Sequence, residues 1–117
     1  MKQVRTGISK STLVEMKNHI NMDDDHLSAI LGTSKTNIHK KKDDDRFSAS
    51  ISKKILALSA LYEYGYHVFE DKENFERWMY TQNRALGYQI PIDLLNTSSG
   101  INEVKEIIGR IEYGIYS

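Results

Sequence analysis

Leu27-Ser28-Ala29-Ile30-Leu31-Gly32-Thr33-Ser34-Lys35-Thr36-Asn37-Ile38-His39-Lys40 is the stretch on which the fold of this chain turns. Leu27, Ile30 and Leu31 recur at helical spacing. Asp23-Asp24-Asp25 precede them, and negative charge suits the positive end of a helix. Gly32-Thr33-Ser34 breaks the pattern, and Ser34 can cap a further helix over residues 35–42 with Ile38 pointing inward. Two short helices joined by a glycine turn have the layout of a helix-turn-helix. Ala29 is small where the second helix would cross, Gly32 permits the tight turn, and Ile38 anchors the second helix. The outer face of that second helix carries Lys35, Thr36, Asn37, His39, Lys40, Lys41 and Lys42. Lysines reach phosphates and an asparagine can bond an adenine edge in the major groove, so these seven residues form a candidate DNA-binding surface. The plainer alternative is a three-helix support with a solvated lysine face. Asp43-Asp44-Asp45 follow the lysines directly and offset their attraction for phosphate if they share that surface.

Helical spacing continues in both directions. Leu13, Met16 and Ile20 predict an amphipathic helix with Ser9 or Ser11 as its cap. Downstream, Ile51, Ile55, Leu58, Leu61, Tyr62 and Val68 predict one helix, or two with a bend near Gly65. Phe75, Trp78 and Met79 mark another, with Phe75 and Trp78 expected in the core. Pro91 suits the first residue of a short helix, where its missing N–H costs nothing, and Asp93 then falls in the first turn. Ile101, Val104, Ile108, Ile111 and Ile115 form the stripe of a last helix, widened by Ile107. Gly109 interrupts it at a cost of roughly 1 kcal/mol relative to alanine, which points to a close neighbour. Gly114 suits a left-handed cap. The expected fold is all-α, with an N-terminal helix-turn-helix region over residues 1–68 and a small helical region over residues 69–117.

Composition narrows the function classes. Sixteen basic residues balance sixteen acidic ones over 117 residues, so no global field marks a nucleic acid or membrane partner. Residues 1–47 hold nine Lys/Arg and seven Asp/Glu, and residues 48–117 hold seven and nine; a bias that small permits only a local basic patch. The absence of cysteine removes disulfides and thiolate metal sites and suits a cytoplasmic location. No apolar run approaches the roughly 20 residues of a membrane span, and the N-terminus lacks the apolar stretch of a signal peptide. Neither aspartate triplet has the alternating oxygens and glycine of a calcium loop. His19, His26, His39 and His67 are scattered without ligand spacing. Glu70, Asp71, Glu73 and Glu76 read as a charged helix start rather than an acid/base pair. No metal, cofactor or catalytic site is expected.

The segment from Trp78 carries a more specific pattern. It reads Trp78, Asn83, Leu86-Gly87, Pro91-Ile92-Asp93-Leu94-Leu95, Thr97, Gly100, Val104 and Arg110-Ile111-Glu112-Tyr113-Gly114-Ile115. This resembles the toxin-binding C-terminal domain of the Xre/MbcA/ParS antitoxins, with the pattern W-x4-N-x2-L-G-x3-P-x-D-L-L-x-T-x2-G-x3-V and a closing RI-x-x-G helix. The spacing is matched without insertion. Gly7-Ile8-Ser9 and Arg46-Phe47-Ser48 are similar, more loosely, to the Xre-like N-terminal region of the same family. One position departs: the family's second glycine after the Leu-Gly pair is Tyr88 here, which strains the turn if that glycine needs positive φ.

The resemblance implies an antitoxin of a type II toxin–antitoxin pair, similar to the RES–Xre systems, and not an enzyme. The implied partner is a RES-domain toxin that consumes NAD, neutralised when the C-terminal domain covers its active-site cleft. The resemblance also implies repression of the operon by the toxin–antitoxin complex, bound to operator DNA through the helix-turn-helix as a homodimer within a hetero-oligomer. Leu86, Tyr88, Arg110, Glu112, Tyr113, Ile115 and Tyr116 are the candidate toxin-binding residues. Tyr113 and Tyr116 with Arg110 and Glu112 suit a plug for a cleft that accepts NAD; the alternative is that Ile111 and Ile115 pack into the domain and the tail frays. The runner-up is a stand-alone dimeric helix-turn-helix transcriptional regulator whose C-terminal region serves dimerisation. A third reading is a protein-binding adaptor with a vestigial DNA module.

Overall fold

The computed structural model describes residues 7–114, and their contacts form two compact units, Met1–Ser59 and Ala60–Ser117. The described residues contain six α-helices and no strand beyond two isolated bridges: an all-α protein.

In the first unit, α1 (Lys10–His19) is capped by Ser9, whose Oγ accepts the Thr12 amide at 3.2 Å. Asp23 caps α2 (Asp24–Leu31) through the His26 amide at 2.8 Å. Gly32 closes α2 with φ +70°, a left-handed angle that suits glycine. Ser34 then caps α3 (Lys35–His39) through the Asn37 amide at 3.0 Å. That helix is shorter than its sequence predicts, ending at His39 with Lys40 as its cap rather than at Lys42. The cause is local: the Lys42 amide is taken by the Asp45 carboxylate at 2.8 Å, and the Asp45 amide returns to the Lys42 carbonyl at 2.9 Å. Ile38 is buried as expected, whereas Ala29 is exposed. The helix crossing is made by Leu27, Ile30 and Leu31 of α2, all buried, and not across the small side chain.

Two stretches far apart in sequence close this unit. Ser9 and Arg46 form an antiparallel bridge, and the Phe47 amide donates to the Ile8 carbonyl at 2.9 Å. Ser52 is fully buried beneath them, accepting the Ile8 amide at 2.8 Å and donating to the Phe47 carbonyl. A buried hydroxyl with both roles used carries no unsatisfied-group penalty.

α4 (Ala49–Phe69) is one continuous helix, with Ile55 and Leu58 falling in the first unit and Leu61 and Tyr62 in the second. Gly65 does not bend it. A Cβ at Gly65 would overlap the Phe75 ring of α5 (Lys72–Met79), so the glycine is there to let that ring approach the backbone. Phe75 is wholly buried and meets Tyr62 and Tyr66 edge-on, with centroids 5.3 and 5.5 Å away. Trp78, expected in the core, is only half-buried; Met79 takes the inner position, four residues after Phe75 on the same face. Two 3₁₀ turns follow, Arg84–Leu86 and Pro91–Leu94, the second starting at the proline as expected. Thr97 caps α6 (Ser98–Glu112) through the Gly100 amide at 3.0 Å. Val104, Ile107 and Ile108 bury its inner face, the Tyr64 hydroxyl lies against Gly109, and Gly114 follows the cap with φ +68°. No described helix is long and apolar enough to cross a membrane.

Candidate functional site

The first candidate surface is the outer face of α3. Lys35, Thr36, Asn37, His39 and Lys40 are exposed together along the helix and its cap, and Lys42 is exposed in the turn beyond. Lys41 is half-buried instead. Its Nζ donates to the Arg46 carbonyl at 3.2 Å and stands 5.1 Å over the Phe47 ring, which gives it a part in the fold. The Asp43–Asp45 turn is drawn toward the start of α1: the Lys10 amide donates to the Asp45 carbonyl and the Ser11 amide to that of Asp43.

An acidic edge that the sequence did not flag borders this face. Lys35 Nζ lies 2.6 Å from Asp25 Oδ1, and His39 Nε2 lies 3.2 Å from Asp24 Oδ2. Lys17 of α1 reaches the other Asp24 oxygen at 3.3 Å. The Lys17 bond holds the Asp24 carboxyl below its ordinary pKa, and Asp25 holds the Lys35 ammonium above its own. Asp23-Asp24-Asp25 were legible as a helix start; their reach across to α3 depends on tertiary geometry.

The second candidate surface is the 83–89 loop of the other unit. Asn83 is buried and organises it. Its Oδ1 accepts the Ala85 amide at 2.9 Å, its carbonyl accepts the Leu86 and Tyr88 amides, and its own amide donates to Gln89. Leu86 is 6% exposed, so it plugs the loop from inside and holds it in place rather than offering a side chain to a partner. Gly87 and Tyr88 both have positive φ, +65° and +67°. The strain anticipated for a tyrosine at this position is therefore present, and it presents a ring that is 61% exposed.

At the end of α6, Arg110, Glu112 and Tyr113 are exposed, Tyr113 to 75%. Glu112 accepts a 2.7 Å hydrogen bond from Tyr64, whose phenol is pushed up to about 12 by that carboxylate. Ile115 and Tyr116 lie outside the described residues. A shallow pocket of about 310 Å³, lined by Phe69, Asn74, Arg77, Trp78 and Thr81, was not anticipated. No cluster of potential metal ligands occurs among the described residues.

Comparison with known proteins places a family domain over each unit. Residues 1–59 match the antitoxin Xre-like helix-turn-helix domain, and residues 65–114 match the antitoxin Xre/MbcA/ParS C-terminal toxin-binding domain. An antitoxin Xre of Photorhabdus laumondii is 37% identical over 73 residues, covering 62% of this chain and 49% of that protein. An antitoxin Xre of Yersinia enterocolitica is 32% identical over 85 residues, covering 72% of this chain and 57% of that one. The chain spans about half the length of the curated relatives it matches. With the family's helix-turn-helix over its first unit and the companion domain over its second, the chain belongs to the Xre/MbcA/ParS antitoxins.

Proposed function

We propose that the chain is the antitoxin of a type II pair that neutralises a RES-domain, NAD-consuming toxin and represses its own operon. The observation that carries the toxin-binding half is the 83–89 loop. It is closed by its own hydrogen bonds, plugged by Leu86, and holds Tyr88 outward at an angle an L-residue rarely adopts. An aromatic presented on a closed loop of this kind suits an interface anchor, because little loop entropy is lost on docking. Arg110, Glu112 and Tyr113, all exposed, add polar and aromatic groups. Inhibition is steric: the second unit covers the toxin's cleft so that NAD cannot enter. Its role is binding, not catalysis.

The first unit reads the operator. Asn37 faces base edges, while Lys35, Lys40 and Lys42 meet phosphates with Thr36 and His39 beside them. A homodimer places two such helices on the half-sites of one operator. Co-expression with the neighbouring RES-type reading frame tests the reading directly. Wild type should protect cells and co-purify with the toxin, whereas a Tyr88→Ala, Arg110→Ala, Tyr113→Ala variant should do neither while remaining folded. Full protection by that variant removes this surface from the mechanism. On DNA, Lys40→Ala with Lys42→Ala should flatten the salt dependence by roughly one unit of slope per lost phosphate contact. Asn37→Ala should instead relax base preference.

A further inference from the structure

The helix-turn-helix carries its own competitor for DNA. We propose that the first turn of α2 occupies the recognition helix as a stand-in for phosphate, with Asp25 holding Lys35 and Asp24 holding His39 until nucleic acid displaces them. This rests on the DNA-reading role given above and concerns its regulation.

The geometry is specific to two of the three aspartates. Lys35 and His39 stand four residues apart on α3, hence on one face, and each is met by a different carboxylate: Asp25 at 2.6 Å and Asp24 at 3.2 Å. Asp23 is engaged otherwise, capping α2 through the His26 amide at 2.8 Å and pairing with the His26 ring at 2.6 Å. The cap and the mask are therefore separate side chains. Removing Asp24 and Asp25 charges leaves the hydrogen bond that starts α2 in place.

A carboxylate offers lysine the same charge-assisted hydrogen bond that a phosphate oxygen does. A phosphate approaching Lys35 competes with Asp25 for the protons and charge of its ammonium. Both members of that pair are well exposed, at 52% and 78%, so the contact is individually weak and readily exchanged. The mask thus lowers DNA affinity without abolishing it. It also changes the ionic-strength dependence, because a cation moving from Asp25 to a phosphate brings its carboxylate back into solution and its counterion with it. The Asp43–Asp45 run, which sequence alone singles out as the acidic threat to DNA binding, forms a turn bonded to the start of α1 instead.

The experiment compares full-length wild type with Asp24→Asn/Asp25→Asn on a fluorescent duplex of the native promoter, by anisotropy across a salt series. Retention on heparin serves as a polyanion probe without base sequence. Asp43→Asn/Asp44→Asn makes the same change in net charge away from the pairs and is the control. The mask variant should bind the duplex about tenfold more tightly than wild type, with a salt slope steeper by about one, and clearly more tightly than the control. In a Lys35→Met background, the gain from Asp25→Asn should fall to that of a general charge change such as Asp43→Asn. A gain no larger than the control's, or one that persists undiminished without Lys35, overturns the proposal. If heparin retention rises in the Lys35-dependent way while no form binds the promoter, the competitor stands and the DNA-reading role falls.

Discussion

Tyr88 combines a ring and a backbone angle, and replacing it by alanine and by glycine separates the two. Both substitutions delete the same ring, 61% exposed in the wild type, so any packing it contributes is lost equally. They differ by one Cβ at φ +67°. A Cβ in the left-handed region costs about 1–2 kcal/mol. Glycine's greater freedom in the unfolded chain offsets about 0.4–1 kcal/mol of that. The glycine variant should therefore be the more stable by about 0.5–1 kcal/mol, or about 2–6 °C in melting temperature. Urea unfolding followed by Trp78 fluorescence, with a thermal scan beside it, measures the difference. Toxin binding should not follow stability: both variants lack the anchor, so both should neutralise poorly. An alanine variant as stable as the glycine one refutes the positive φ. A glycine variant that neutralises like wild type refutes the ring's role and leaves the loop path alone as the determinant.

Other expectations are read in the same assays. Gly65→Ala should destabilise by about 1–3 kcal/mol, since the added methyl must displace the Phe75 ring; a neutral result would mean α4 and α5 are not in contact there. Phe75→Ala should cost about 3–5 kcal/mol, and Trp78→Ala less because part of its surface is already exposed; equal costs would place Trp78 in the core after all. Acid should loosen α2. The Asp23 carboxyl lies below its ordinary value of 3.8 chiefly through the His26 amide, and Asp24 chiefly through Lys17. Their contribution is present above that value and lost as the pH falls through the lower folded-state values, and Asp23→Asn should diminish the loss seen by circular dichroism below about pH 4.

Helix positions and caps were legible because they are local. Ser9 and Ser34 each precede a helix and accept the amide three residues on. The end of α3 was misplaced because Lys40-Lys41-Lys42 have good helical propensity, and the competing Asp45 carboxylate is a turn feature with no periodic signature. Trp78 and Met79 are adjacent, and a helical stripe with Phe75 admits either; the ring packing around Phe75 decides for Met79. The loop motif was visible residue by residue, including the tension at Tyr88. That Leu86 lines its inside was not, because a motif reports which residues recur and says nothing of the direction they face. Least legible was the acidic edge of α3. Ion pairs between Asp24, Asp25 and residues ten or more positions away depend on the angle at which two short helices meet.

Closure of the 83–89 loop bears on how such a protein can change partners. Each of Ala85, Leu86, Gly87, Tyr88 and Gln89 gives its amide to an acceptor inside the loop, so insertion or loss of one residue would undo several bonds at once. Length variation is closed to it as a route of divergence. Arg84 and Ala85 are nevertheless exposed with no side-chain part in these bonds, and exchanges there leave the loop's hydrogen bonds untouched. New specificity would thus accumulate one side chain at a time on a constant backbone, so that closely related pairs could drift apart in recognition while their folds remained superimposable.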